Sequence, residues 1–144
     1  MLINKKGITK LIPHTGNIVL IDAVMRWDDN EIVCEANSHT DHGNPLRDDD
    51  QLNSLCVIEY AAQATAAHGA LVASATVKPK EGYLAGLKDI TLYVDRLDNL
   101  ENNLEIYAKR KISLNNSFVY DFSVSSGKIS VADGRLFVIA KPTG

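Results

Sequence analysis

One segment limits the fold of this chain more than any other. Residues 52–75 read LNSLCVIEYAAQATAAHGALVASA, rich in alanine and free of proline. That composition predicts a helix from about Leu52 to Ala75, with Asp50 or Asn53 placed to cap its start. Apolar residues surround it on most sides, so the helix is expected to be buried. Ala61, Ala62, Ala64, Ala66, Ala67, Gly69 and Ala70 are small enough for a sheet to lie close against it.

Most of the remaining sequence reads as strand. Ile18 to Met25 and Glu31 to Ala36 are β-like segments separated by the polar turn Asp28-Asp29-Asn30. Asn37 to Gln51 is a long polar loop, a length often tied to function. After the helix, Gly82 to Asp95 is extended and apolar. Leu104 to Leu114 alternates, with Leu104, Ile106, Ala108, Arg110 and Ile112 on one side and Glu105, Tyr107, Lys109 and Lys111 on the other. Asn115-Asn116 predicts a turn into Phe118 to Ser125, and Asp133-Gly134 a hairpin before Leu136 to Ala140. The pattern is α+β: two short strands, one buried helix, then about four strands in an antiparallel sheet. No linker or repeat divides residues 1–144, which read as one domain. A sheet wrapped around one helix leaves an unpaired edge, and pairing with a second chain is the simplest remedy.

Composition narrows the function classes. With a formal net charge of −3, the chain has no basic surplus for nucleic acid. No apolar run approaches the roughly 20 residues of a membrane span, and the N-terminus lacks the apolar stretch of a signal peptide. Two cysteines, Cys34 and Cys56, without zinc-type spacing suit reduced thiols in the cytoplasm. His39, Asp41, His42 and Asp48 to Asp50 supply ligand types in one loop, but nothing fixes their spacing, so no metal site is expected. There is no glycine-rich phosphate loop and no Gly-x-Ser-x-Gly elbow.

Glu59 stands out because it interrupts the apolar helix. A buried carboxyl is held protonated and suits acid–base work, whereas a Glu59 facing solvent would carry no such meaning. Gln63, four residues on, shares its helical face and can orient Glu59 or a substrate group. His14, His39 and His42 are open choices for a partner base. His68 sits more than about 13 Å along the helix from Glu59 and reads as a packing or surface residue.

Three blocks of sequence resemble hotdog-fold 3-hydroxyacyl-carrier-protein dehydratases. Leu11-Ile12-Pro13-His14-Thr15-Gly16-Asn17, running on to Asp22, is similar to the family's opening Leu-Pro-His segment. Ile58-Glu59-Tyr60-Ala61-Ala62-Gln63-Ala64 resembles its central helix, and Gly82-Tyr83-Leu84-Ala85-Gly86-Leu87 its following strand. The Gly-His-Phe-Pro-Gly segment of fatty-acid members is replaced by Asp41-His42-Gly43-Asn44-Pro45, which resembles the divergent aryl-polyene branch. The resemblance implies a hotdog fold, one long central helix wrapped by a curved antiparallel sheet. It further implies a homodimer or heterodimer, or a higher oligomer, with an acyl tunnel between subunits.

By that resemblance the catalytic pair is His14 and Glu59, with His42 as the alternative base. Gln63, Tyr83, Leu84, Ala85 and Gly86 are the substrate-binding residues. The reaction implied converts a 3-hydroxyacyl thioester to the trans-2-enoyl thioester. The substrate arrives on the phosphopantetheine of an acyl carrier protein or as acyl-CoA, and no other cofactor is expected. Backbone N–H groups from Leu52 to Leu55 are expected to stabilise the enolate oxygen. Two rivals stand beside this reading: a hotdog thioesterase, and a non-catalytic acyl-binding or heterodimer subunit.

Overall fold

A computed structural model describes residues 2–12, 19–73 and 82–140. The chain begins with a two-residue strand, β1 (Ile3–Asn4), and a short helix, α1 (Lys5–Leu11). Asn4 caps α1, its side-chain oxygen accepting from the Gly7 amide at 3.1 Å. Ile8 is the buried residue of α1. Neither element was expected from the sequence.

β2 (Ala23–Trp27) and β3 (Glu31–Ala36) form a hairpin, and β3 has the bounds its pattern predicts. The expected first strand, however, begins at Ala23 rather than before it. Val19, Leu20 and Ile21 are buried without belonging to a strand. The long loop carries a single 3-10 turn, Ser38–Thr40.

The central helix is α2 (Val57–Val72), entered through a 3-10 turn at Ser54–Cys56. It starts later than expected because residues 52–56 are tied elsewhere. Leu52 N–H donates to Asp98 Oδ1 at 2.9 Å, Ser54 N–H to the Asp95 carbonyl at 3.1 Å, and Leu55 N–H to Asn53 Oδ1 at 2.8 Å.

Four long strands complete the sheet: β4 (Gly82–Leu92), β5 (Leu104–Leu114), β6 (Ser117–Ser126) and β7 (Ile129–Ala140). All pairings are antiparallel, in the order β1-β2-β3-β5-β6-β7-β4. Asn115, with φ of 56°, makes the expected turn between β5 and β6. The hairpin expected at Asp133-Gly134 lies instead at Gly127-Lys128, where Gly127 takes φ of +59° and Ser126 pairs with Ile129. β7 runs unbroken through Gly134. That glycine is required for close approach: a Cβ there would meet Ile90 Cδ1 at 2.3 Å and Ile90 Cα at 3.1 Å.

The core lies where α2 crosses the sheet. Ala61, Ala64 and Ala67 are fully buried on the helix, facing inward with Leu104, Ile106 and Ala108 of β5 and Tyr120, Phe122 and Val124 of β6. Period-two burial on the strands meets a small-residue stripe on the helix, and removing a large side chain from such a core costs about 2–5 kcal/mol. Among the described residues no helix is long and apolar enough to cross a membrane.

Candidate active site

The inward side of α2 is spent on the core, and a second stripe lines a cavity of about 380 Å³. Glu59, Ala62, Ala66, Gly69, Ala70 and Ala73 recur at helical spacing along it. Fourteen residues separate its ends, so this wall runs about 21 Å along the helix. Leu84 of β4, Phe118 of β6 and Val138 of β7 also line the cavity. Glu59, Gln63, Thr65, Arg110, Asn115 and Asn116 add polar groups to this largely apolar cavity, the combination a binding site takes.

Glu59 is the third residue of α2 and one end of that stripe. It is exposed in the single chain, so the burial on which its protonation was argued is not present there. Gln63 also lines the cavity, yet is itself buried. Its Oε1 accepts from the Leu20 amide at 2.8 Å, fastening the segment that leads into β2. Tyr83 and Leu84 line the cavity, whereas Ala85 and Gly86 do not. Gly86 faces Phe137, whose ring carbon would lie 3.5 Å from a Cβ at that position.

The histidines divide sharply. His14 lies outside the described residues, and so does its separation from Glu59. His42 is exposed in the loop, its Nδ1 2.9 Å from Asp50 Oδ1, and does not line the cavity. His39 is fully buried, with Nε2 donating to the Leu100 carbonyl at 3.0 Å; burial lowers its pKa below the ordinary imidazole value. His68 is also fully buried, a packing histidine as expected. Its Nε2 donates to the Asp28 carbonyl at 2.8 Å, which leaves Nδ1 to accept from the Tyr120 hydroxyl at 2.6 Å. Burial keeps His68 neutral by lowering its pKa, and pushes the Tyr120 hydroxyl up to about 12.

Tyr120 forms part of the cavity wall together with Arg110. Arg110 Nε donates to the Tyr120 hydroxyl at 3.0 Å, and the guanidinium carbon sits 4.4 Å from the Phe118 ring centroid. The sequence held a signal for this cation: Arg110 occupies the apolar side of the β5 alternation. A shift in pairing register between Arg110 and Ile112 marks a bulge that re-aims the strand there.

Three of the four amides expected to stabilise an enolate are already engaged. Those of Leu52, Ser54 and Leu55 hold Asp98, Asp95 and Asn53, and the Cys56 amide donates to the Asn53 carbonyl at 3.0 Å. Cys56 lies beside Glu59, and burial and that carboxylate raise its thiol pKa, which argues against a thiolate nucleophile. Among the described residues no group of three or more His, Cys, Asp or Glu side chains is placed to hold a metal ion.

The long helix laid across a seven-stranded antiparallel sheet is a hotdog fold, with the cavity running along that helix. Residues 6–143 match the ApeP-like family of ApeP dehydratases, and the chain belongs to that family. The structure is similar to the dehydratase heterocomplex ApeI:P from Xenorhabdus doucetiae, with a TM-score of 0.84 and 19% identity over 94% of this chain and 91% of that one. A hypothetical thioesterase from Streptococcus pneumoniae TIGR4, solved with coenzyme A, shares the fold at a TM-score of 0.60 and 11% identity, covering 83% of this chain and 84% of that one. A mutant thioesterase from Pseudomonas aeruginosa does so at 0.61 and 12%, over 85% and 81%. A comparison with curated proteins finds no match.

Proposed function

We propose that the chain dehydrates carrier-protein-linked 3-hydroxyacyl thioesters to trans-2-enoyl thioesters in aryl polyene biosynthesis. The observation that carries this reading is the placement of Glu59 at one end of a largely apolar cavity, lined along α2 by Ala62, Ala66, Gly69, Ala70 and Ala73 and also by Leu84, Phe118 and Val138 of the sheet. His14 removes the C2 proton, which the neighbouring thioester carbonyl acidifies. The C3–O bond then breaks as Glu59 gives its proton to the leaving hydroxyl, so that one water departs and the C2–C3 double bond forms. The roles of His14 and Glu59 are supported by the Ile12-Pro13-His14 segment, which resembles the family's Leu-Pro-His, and by the helix motif that bears Glu59.

A second subunit completes the site in this reading. β4 ends the sheet, and Tyr83, Leu87, Leu92 and Tyr93 are exposed on or just beyond it. A partner strand paired there would satisfy the free edge and cover Glu59, supplying the desolvation that keeps its carboxyl protonated. The likeness to the ApeI:P heterocomplex favours a related but different subunit over a second copy.

The exposure of Glu59 favours one competing reading, a thioesterase in which the carboxylate activates water. The test is to incubate the protein with a 3-hydroxyacyl carrier protein and follow the acyl mass. Loss of one water, abolished by Glu59→Gln and by His14→Ala, supports the dehydratase. Release of free acid overturns it in favour of the thioesterase. An unchanged acyl group, with any co-purifying subunit present, leaves the chain as a non-catalytic partner.

A further inference from the structure

Arg110 is the cation of the cavity, and its position has a use in the acyl-thioester reading on which this inference rests. It is half-buried, and among the described residues no carboxylate forms an ion pair with it. Its Nη2 lies 3.8 Å from where a Gly69 Cβ would stand. Gly69 is ten residues beyond Glu59 on α2, so the guanidinium sits about 15 Å along the helix from that carboxyl. Ala62 and Ala66 line the path between them. Gln63 and Thr65 also line this stretch, but Gln63 Oε1 accepts from the Leu20 amide at 2.8 Å and the Thr65 hydroxyl donates to the Ala62 carbonyl at 2.8 Å. The wall therefore suits hydrocarbon better than the amides of a pantetheine arm.

The guanidinium is held in a fixed attitude. Phe118 and Tyr120 lie 4.4 and 5.4 Å from it by ring centroid, and the Tyr120 hydroxyl takes its Nε–H. Tyr120 can only accept from Arg110, because its own proton goes to His68, whose other nitrogen is committed to the Asp28 carbonyl. Tyr120 and His68 are thus positioning residues. Among the described residues the Nη groups of Arg110 have no hydrogen-bond acceptor, so their donors are available to a ligand.

We propose that Arg110 is a specificity-determining residue, reading an oxygen at the far end of the acyl chain. The substrate class is a long acyl thioester bearing a hydroxyl or carboxylate oxygen roughly a dozen bonds beyond the reacting carbons, the span set by the helical rise and carbon–carbon bond lengths. A plain alkyl chain of the same length would strip water from the guanidinium without replacing it.

The test is titration calorimetry of the protein, with any subunit that co-purifies, against two amide-linked pantetheine analogues that neither dehydrate nor hydrolyse. One carries a tetradecanoyl chain and the other an ω-hydroxytetradecanoyl chain. The ω-hydroxy analogue is expected to bind about tenfold tighter, the size of one charge-assisted hydrogen bond. Arg110→Met should abolish that preference while retaining the alkyl analogue, and Arg110→Lys should keep part of it; the thermal midpoint reports folding of both. Equal binding of the two analogues by the native protein, or a preference that survives Arg110→Met, overturns the proposal and leaves the dehydratase standing. Intact preference with no dehydration overturns the reaction alone. Binding of neither analogue overturns both.

Discussion

The hydroxyl of Tyr120 and Nδ1 of His68 lie 2.6 Å apart beneath the cavity, joining strand β6 to the middle of α2. Both side chains are almost wholly buried. Tyr120→Phe would leave Nδ1 with a lone pair and no donor, at a cost of about 1–3 kcal/mol. Urea denaturation should show a lower midpoint with an unchanged slope. A midpoint equal to that of the native protein would mean the bond contributes nothing net.

The same burial sets a pH dependence. His39 and His68 have pKa values lowered by burial, so in the folded chain both stay neutral where an unfolded histidine begins to protonate. Below about pH 6.5 the unfolded state binds more protons than the folded one, and stability falls as pH falls. A second loss should follow at lower pH. The Arg96 guanidinium and the Leu52 amide hold Asp98 below the ordinary carboxylate range, and its contribution disappears as pH drops through and below that range. Thermal midpoints across pH should show two separate declines. His68→Asn should shrink the upper one without touching the lower.

Gly134 and Ile90 make the tightest glycine contact in the sheet interior. A methyl group at Gly134 would press on both the tip of Ile90 and its Cα. Gly134→Ala is expected to cost about 1–3 kcal/mol by overpacking. Ile90→Val removes Cδ1 but leaves the backbone clash, so the double variant should recover part of the loss. Full additivity in that cycle would show the two positions to be independent.

How far the sequence could be read follows from which signals are local. β5 came out at its true bounds because its first half has one face set by the core, which alternation records directly. β3, with Ile32, Val33 and Cys34 all buried, was marked off by the polar turn before it and the polar loop after it. The α1 helix was hidden: Lys5 and Lys6 oppose the helix dipole at its start, and Gly7 weakens its first turn. Asp133-Gly134 was misread as a turn because Gly134 answers to Ile90, forty-four residues away in sequence and invisible to any local pattern. Glu59 was expected to be buried because its helix is apolar on most sides. Alanine does not distinguish a packed face from one lining an open cavity, and Ala62, Ala66 and Ala70 are of the second kind. Arg110 was visible as a charge among apolar partners, but only the folded sheet shows it beside Tyr120 and over Phe118.

Under the proposed dehydration, the alanine stripe sets the acyl chain length the site accepts. Ala70 lies on the cavity wall eleven residues from Glu59, about 16 Å along the helix. Ala70→Leu should block that end without disturbing the chemistry beside Glu59. In the dehydration assay, kcat/KM for a long acyl chain is expected to fall at least about tenfold while that for a short one is unchanged, in line with one lost or obstructed apolar contact region. An equal loss on both chains would place the acyl path elsewhere.

Gln63 connects the cavity wall to the stretch of chain that carries His14. Its Oε1 holds the Leu20 amide at 2.8 Å, and Leu20 follows His14 by six residues. Gln63→Met would fill a similar volume but leave that buried amide without an acceptor, at about 1–3 kcal/mol. Hydrogen exchange at Leu20 should then rise well beyond the change at core amides of β5. If Gln63 positions the His14 segment, kcat should fall more than KM rises in the same variant, because the proposed substrate contacts along α2 remain while the proposed base is misplaced. Gln63→Glu keeps an acceptor for Leu20 and should restore the amide protection. A faster-exchanging Leu20 with unchanged kcat would confine Gln63 to a purely structural role.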